Sequence, residues 1–452
     1  MSEKKNKMAT WPIPKLLFSM GLPAVFSMLI QAMYNVVDSI YISNYSKDCM
    51  FAIGIANPLQ LIGLSIALGS AVGTSTLLAR RLGQGDIDEA NKVAANGFIL
   101  TGFHTIITVC LGLFVAKPFL ALFTDRPEII EYGYIYLSIV LIISFGQQFS
   151  IYFERLFQSQ GEMKIPMFGQ LIGAITNIIL DPILIFGQYG FTEMGIKGAA
   201  VATVVGQILS LIFLIACVLI KKPTVRLRLS YLKKGLKAKR VKDIYAVGLP
   251  AMVMNMINSV TTTAMNGILV KFSEDAITSL SLYFKLQSFV LMPVFGFNQG
   301  ALPILSFNYG ANDRKRYLQA VKLFWAVAET ICVAGMILFA VTPDIPLSFF
   351  ETDAELLRTA EIVISTIGIS FVFVAPNIVI TTILQSFGMG THSMIQSISR
   401  QLIVLLPLAI FLSRFGLRQT FFAYPIAEFV MLLVFIPIAI KAYKTKFAYY
   451  DK

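Results

Sequence analysis

Stretches of about 20 apolar residues, bounded by turn or charge clusters, recur along the whole chain, and at about 1.5 Å per residue each is long enough to cross the hydrocarbon core of a bilayer. Twelve such runs are read, near 16–43, 50–80, 92–116, 129–157, 164–187, 194–221, 243–271, 276–308, 318–342, 355–386, 393–413 and 418–441. Lipid offers no partner to backbone N–H and C=O groups, so each run must be a helix. A mean hydropathy of +0.73 with only 14% charged residues agrees. The expected fold is an all-α polytopic membrane protein. The N-terminal "MSEKKNKMATWPIPK" leads into a helix of spanning length with no small-residue cleavage site, so the first helix is expected to stay.

An even number of spans puts both termini on one side. The loops and tails on that side hold 28 Lys and Arg, against 8 on the other, so both termini are expected in the cytoplasm of a cell-membrane protein. The run "KKPTVRLRLSYLKKGLKAKR" lacks interleaved stacking aromatics. It reads as a topology signal touching anionic lipid, and no nucleic-acid partner is expected. Two histidines, His104 and His392, and four scattered cysteines supply neither a nucleophile–base set nor a metal cluster. Each histidine reads as structural. No catalytic residue and no cofactor is expected, and without a GxxxxGK[ST] pattern ATP is not the direct energy source.

The chain repeats itself at an offset of 227. "GLPA" at Gly21–Ala24 recurs at Gly248–Ala251, Gly69 and Gly73 match Gly296 and Gly300, and Gln158, Ser159 and Gly161 match Gln385, Ser386 and Gly388. Such a register marks a duplication. We divide the chain into an N-lobe of six helices (1–221), a basic cytoplasmic linker (222–242) and a C-lobe of six helices (243–452). Because each lobe has an even number of spans, the two are expected to be related by a pseudo-two-fold axis along the membrane normal, a transporter signature. Pro23 and Pro250, early in the first helix of each lobe, each remove a backbone hydrogen bond and are hinge candidates.

The run "TNIILDPILIF" sets Asp181 and Asn177 in an apolar span, where a charge costs at least about 2.5 kcal/mol. The helices that carry Asp38 and Asp181 both run outward, and the two acids lie about five and about six residues before the outer ends, within about 1.5 Å of the same depth. Asn177 precedes Asp181 by four residues and Asn35 precedes Asp38 by three, spacings that share a helix face. Thr203 and Gln207 enter from the outer side to similar depth. Together they offer the hard oxygen donors that suit H⁺ or Na⁺. The plainer alternative is that each acid is satisfied by neighbouring helices. Against it, the offset carries Asp38, Asn177 and Asp181 onto Met265, Val404 and Leu408, so the second lobe packs without them. Glu329, Glu361 and Glu428 lie in C-lobe spans without a recognisable motif. Glu154 and Arg155 read as snorkelling to head groups. Lys285, read as the sole mid-span base, should face a cavity or pair with Glu329 or Glu361.

In this order, "YNVVDSIYIS", "ARRLGQGDIDEANK", "TNIILDPILIF", "MGIKGAAVAT", "MPVFGFNQG" and "SFNYGANDRKR" resemble the multidrug and toxic compound extrusion (MATE) family over nearly the whole chain. The resemblance implies export of bulky, often cationic amphiphiles in exchange for H⁺ or Na⁺ through a cavity between two lobes. It implies a cation site at Asp38, Asn177, Asp181 and Thr203, holding Na⁺ where Na⁺ is the coupling ion. Tyr34, Asn35, Gln207 and Lys285 are accessory candidates, and a monomer is expected. The wider superfamily also contains flippases of lipid-linked precursors, which is the rival reading.

Overall fold

The computed structural model describes residues 7–227, 229–232, 235–347 and 354–448, and among them only helices and their connections occur. Among the described residues ten helices are long and apolar enough to span a bilayer, and two pairs bent by 45° and 47°, each counted as one span, bring the number to twelve. The first six are α1 (Ile13–Tyr45), α2 (Lys47–Gly83), α3 (Ile87–Leu120), α4 (Pro127–Ile142 with Phe145–Gln158), α5 (Lys164–Phe186) and α6 (Ile196–Lys221). The second six are α7 (Ala238–Leu269), α8 (Glu274–Gly310), α9 (Arg314–Val341), α10 (Leu356–Gly368 with Phe371–Ser386), α11 (Gly390–Leu412) and α12 (Leu417–Ala448). Each apolar run lies within one span or overruns its end by at most 2 residues.

The duplication is built into the helix ends. α2 and α8 start and stop 227 positions apart, and so do α6 and the long segment Ala423–Ala448 of α12. The caps repeat as well. Ser46 and Ser273 accept the N–H of Cys49 and Ala276, and Asp86 and Asp313 accept that of Glu89 and Arg316. A short polar side chain at that place satisfies a backbone donor that the first helical turn leaves open. Between the capped helices the chain turns through a positive φ, 76° at Gly85 and 54° at Asn312. Glycine and asparagine are the residues that tolerate this region best.

Residues 26–252 form one compact unit, and residues 7–25 with 253–452 form the other. Compared with the division 1–221 and 243–452 read from sequence, the beginnings of α1 and α7 are therefore exchanged. Glycine contacts explain it. In the first unit, a Cβ on Gly73 would lie 2.2 Å from the carbonyl oxygen of Ile244, and one on Gly69 would lie 2.6 Å from that of Gly248. In the second, a Cβ on Gly296 would lie 2.7 Å from the backbone nitrogen of Val25, and one on Gly300 would lie 3.0 Å from that of Gly21. Each is a Gly-xxx-Gly pair, which lets two backbones approach within a membrane.

The connection before α7 is strapped to the first unit. Backbone N–H groups of Val225, Arg226 and Lys237 donate to the side-chain oxygens of Gln160, Asn91 and Asn96. Arg240 grips Glu89 through two bonds of 2.6 and 2.9 Å. Part of the positive charge that reads as topology signal thus holds the linker in place.

Candidate functional site

The polar cluster of the first unit is set by how closely α5 and α6 approach. A Cβ on Gly198 would lie 2.6 Å from the Leu184 carbonyl, and one on Gly206 would lie 2.6 Å from the Gly173 carbonyl. Between these two contacts stand Asn177 and Asp181 on α5 and Thr203 on α6, 2%, 0% and 4% exposed. Asn177 Nδ2 donates to Asp181 Oδ1 at 3.2 Å and to Thr203 Oγ1 at 3.3 Å.

α1 completes the site. The Asp38 carboxyl comes within reach of the Asp181 carboxyl, and the Tyr34 hydroxyl stands beside that of Thr203. Tyr136 on α4 stands beside Asp38 and Tyr34, with Gln60 of α2 next to it. Neither Tyr136 nor Gln60 could be found from sequence, because each is one unremarkable polar residue in an apolar run.

Asn35 does not join the cluster. It is exposed, and only its backbone carbonyl is engaged, by the Ser39 hydroxyl. At about 100° per residue a step of four turns the helix by about 40°, whereas a step of three turns it about 60° the other way. Tyr34, four residues before Asp38, therefore takes the place that the spacing rule offered to Asn35.

Four oxygens, Asp38 Oδ1, Asn177 Oδ1, Asp181 Oδ2 and Gln207 Oε1, are buried and accept no hydrogen bond from the protein. Gln207 lies one turn from Thr203, and its backbone carbonyl accepts from Ser150. Buried acceptors without donors are costly. Two carboxyls within reach of each other are costlier still unless a proton or a cation lies between them. The set is thus suited to a proton shared by two carboxyls, or to Na⁺ held by carboxylate, amide and hydroxyl oxygens.

The second unit is built differently. Met265 is buried where α1 has Asp38, and the polar network lies elsewhere. Arg400 Nη1 pairs with Glu428 Oε1 at 3.2 Å, Asn377 Nδ2 donates to Glu428 Oε2 at 2.7 Å, and Gln396 Nε2 donates to Asn377 Oδ1 at 3.1 Å. Arg400 lies inside α11, so Lys285 is not the only base within a span. Its place inside the run 393–413 was visible, but it sits close enough to the inner end to be taken for loop charge. Glu329 accepts from the Trp325 indole, Glu361 is exposed, and neither pairs with Lys285 among the described residues. Glu154 is buried rather than snorkelling, accepting from Gln170 Nε2 at 2.8 Å. His104 is also buried, its ring nitrogens facing Ser70 and Tyr245 hydroxyls at 3.2 and 2.6 Å, while His392 is at the start of α11.

Known proteins place this architecture. The family model described as MatE matches residues 23–183 and 250–411, one match for each half. A protein of Shewanella oneidensis named FAD transporter is 27% identical over 432 residues, 93% of each chain. The multidrug export protein MepA of Staphylococcus aureus is 25% identical over 440 residues, 94% of each. A crystal structure of MATE in the bent conformation superposes with a TM-score of 0.91 at 22% identity, covering 99% of this chain and 100% of that one.

Proposed function

This chain belongs to the MatE family of membrane transporters, and from that premise we propose that it is a secondary antiporter that exports bulky amphiphilic organic compounds in exchange for inward H⁺ or Na⁺. The observation that carries the reading is the pair of carboxyls, Asp38 and Asp181, with the buried oxygens around them that lack donors. Empty and charged, such a cluster favours whichever packing separates or hydrates the acids. Occupied, it favours the packing that holds them together, and this differential affinity is what alternating access needs.

Pro23 and Pro250 fit a hinge role. α1 and α7 leave one compact unit for the other after Val25 and after Met252, 2 residues beyond each proline. Each proline interrupts its helix's hydrogen bonding just where the two parts of that helix have different neighbours. The names of the relatives span multidrug export and FAD, an aromatic dinucleotide, which supports a bulky amphiphilic cargo of either charge. We place the protein in the cell membrane as a monomer without a cofactor, with both termini in the cytoplasm.

The deciding experiment is uptake of ethidium into inverted vesicles under separately imposed H⁺ and Na⁺ gradients. Uptake driven by one gradient and abolished when it is dissipated is the expected result. Indifference to both gradients counts against antiport. Orientation is tested independently, in a cysteine-free background, with a membrane-impermeant thiol reagent on intact cells. Lys47→Cys should be labelled and Lys239→Cys should not, and the reverse pattern would invert the topology.

A further inference from the structure

Lys285 stands 11 residues after the start of α8, about 16 Å along the helix, and it is exposed. Thr278, Ser281 and Phe289 are exposed on the same face, spaced three and four apart along it, while Leu282, Tyr283, Leu286 and Val290 turn into the unit. The exposed face of a spanning helix meets either hydrocarbon or water. An ammonium group in hydrocarbon costs at least about 2.5 kcal/mol, and snorkelling relieves that cost only near helix ends. The Ser281 hydroxyl is satisfied by the Ile277 carbonyl, so it is the cation that requires this stripe to face water.

Away from the helix ends, the spans of the same unit hold Glu329, Glu361 and Glu428, and none of them pairs with Lys285 among the described residues. Glu428 is engaged by Arg400 and Asn377, Glu329 is engaged by Trp325, and Glu361 makes no ion pair among the described residues. Lys285 itself has no ion-pair partner among them. A mid-span cation that faces water and lacks a protein counter-charge is suited to bind an anion that comes and goes. Phe289, 69% exposed and one turn along the same face, adds an aromatic surface beside it.

We propose that Lys285 is the anion-recognising residue of the transport path, taking the carboxylate or phosphate of an amphiphile whose aromatic part packs on Phe289. The inference rests on the transport reading above, since it needs a water-filled path on that face. It predicts that anionic aromatic compounds are bound and moved, alongside any cationic ones.

The test reads binding without any gradient. Fluorescence anisotropy of carboxyfluorescein with purified protein in phosphatidylcholine nanodiscs should give a Kd that rises about tenfold in Lys285→Gln, a loss on the scale of one charge-assisted hydrogen bond. Lys285→Arg should restore it, which also guards against a variant that fails to fold. Soluble phenyl phosphate should compete with the dye. In vesicles, the ratio of carboxyfluorescein to ethidium transport should fall in Lys285→Gln. An unchanged Kd in Lys285→Gln overturns the proposal. So does displacement of the dye by a bilayer enriched in phosphatidylglycerol but not by phenyl phosphate, because the anion would then be a lipid head group. Binding through Lys285 in a protein that pumps neither dye would count against antiport alone.

Discussion

Asp38→Asn and Asp181→Asn are each expected to leave a folded, membrane-inserted protein that has lost gradient-driven transport. The amide keeps the size of the acid, and at Asp181 its oxygen still accepts from Asn177, so the packing of α5 on α6 should survive. What disappears is the charge whose neutralisation distinguishes one state from the other. Swinging a two-state equilibrium from about 1:99 to 99:1 takes roughly 10⁴-fold differential affinity, and a neutral side chain supplies none of it toward H⁺ or Na⁺. Transport against a gradient should fall by on the order of a hundredfold, while substrate binding in detergent persists. A conformational probe on the first unit should give the same signal in acid and in alkali. Normal driven transport in both variants would remove the site from the coupling mechanism and leave the two acids as structural groups. The controls are size-exclusion behaviour and thermal stability equal to those of the parent.

Gly73→Ala is expected to be severely damaging for the addition of a single methyl group. The added Cβ would lie 2.2 Å from the Ile244 carbonyl oxygen and 2.9 Å from the Gly248 nitrogen, both backbone atoms of α7 that no rotamer change can move aside. Relief requires the start of α7 to lift off α2, with loss of the close packing around Gly69 and Gly248. Overpacking of this kind costs about 1–3 kcal/mol, and a backbone clash belongs at or beyond the upper end. Reduced yield of folded protein, a lower melting temperature in detergent and loss of transport should appear together. Gly54→Ala is the internal control. It lies on the same helix with nothing within 4 Å of the new methyl, so it should be neutral or slightly stabilising. Equal stability of the two variants would show that α2 and α7 do not rely on this contact.

What could be read without a structure was everything governed by local, periodic signals. Run length and hydropathy determined the spans, and the offset of 227 determined the duplication down to the paired caps at Ser46 and Ser273. Asp181 stood out because a carboxylate in an apolar run is expensive wherever the rest of the chain lies. Matching its depth to Asp38 required only the helical rise.

The tertiary structure decided which residues meet, because a contact between positions far apart in the chain leaves no mark in either local sequence. "GLPA" and the glycine pairs are visible as repeat markers, yet the fold makes them partners, with Gly248 on Gly69 and Gly21 on Gly300. That is why the beginnings of α1 and α7 change units. Tyr34 rather than Asn35 reaches the buried polar cluster, since the rotation of α1 is set by its neighbours and not by spacing alone. Tyr136 and Gln60 join it, and Arg400 finds Glu428, through the packing of separate helices. A buried charge announces itself by its cost, but the group that relieves that cost is chosen by whichever helix the fold brings alongside.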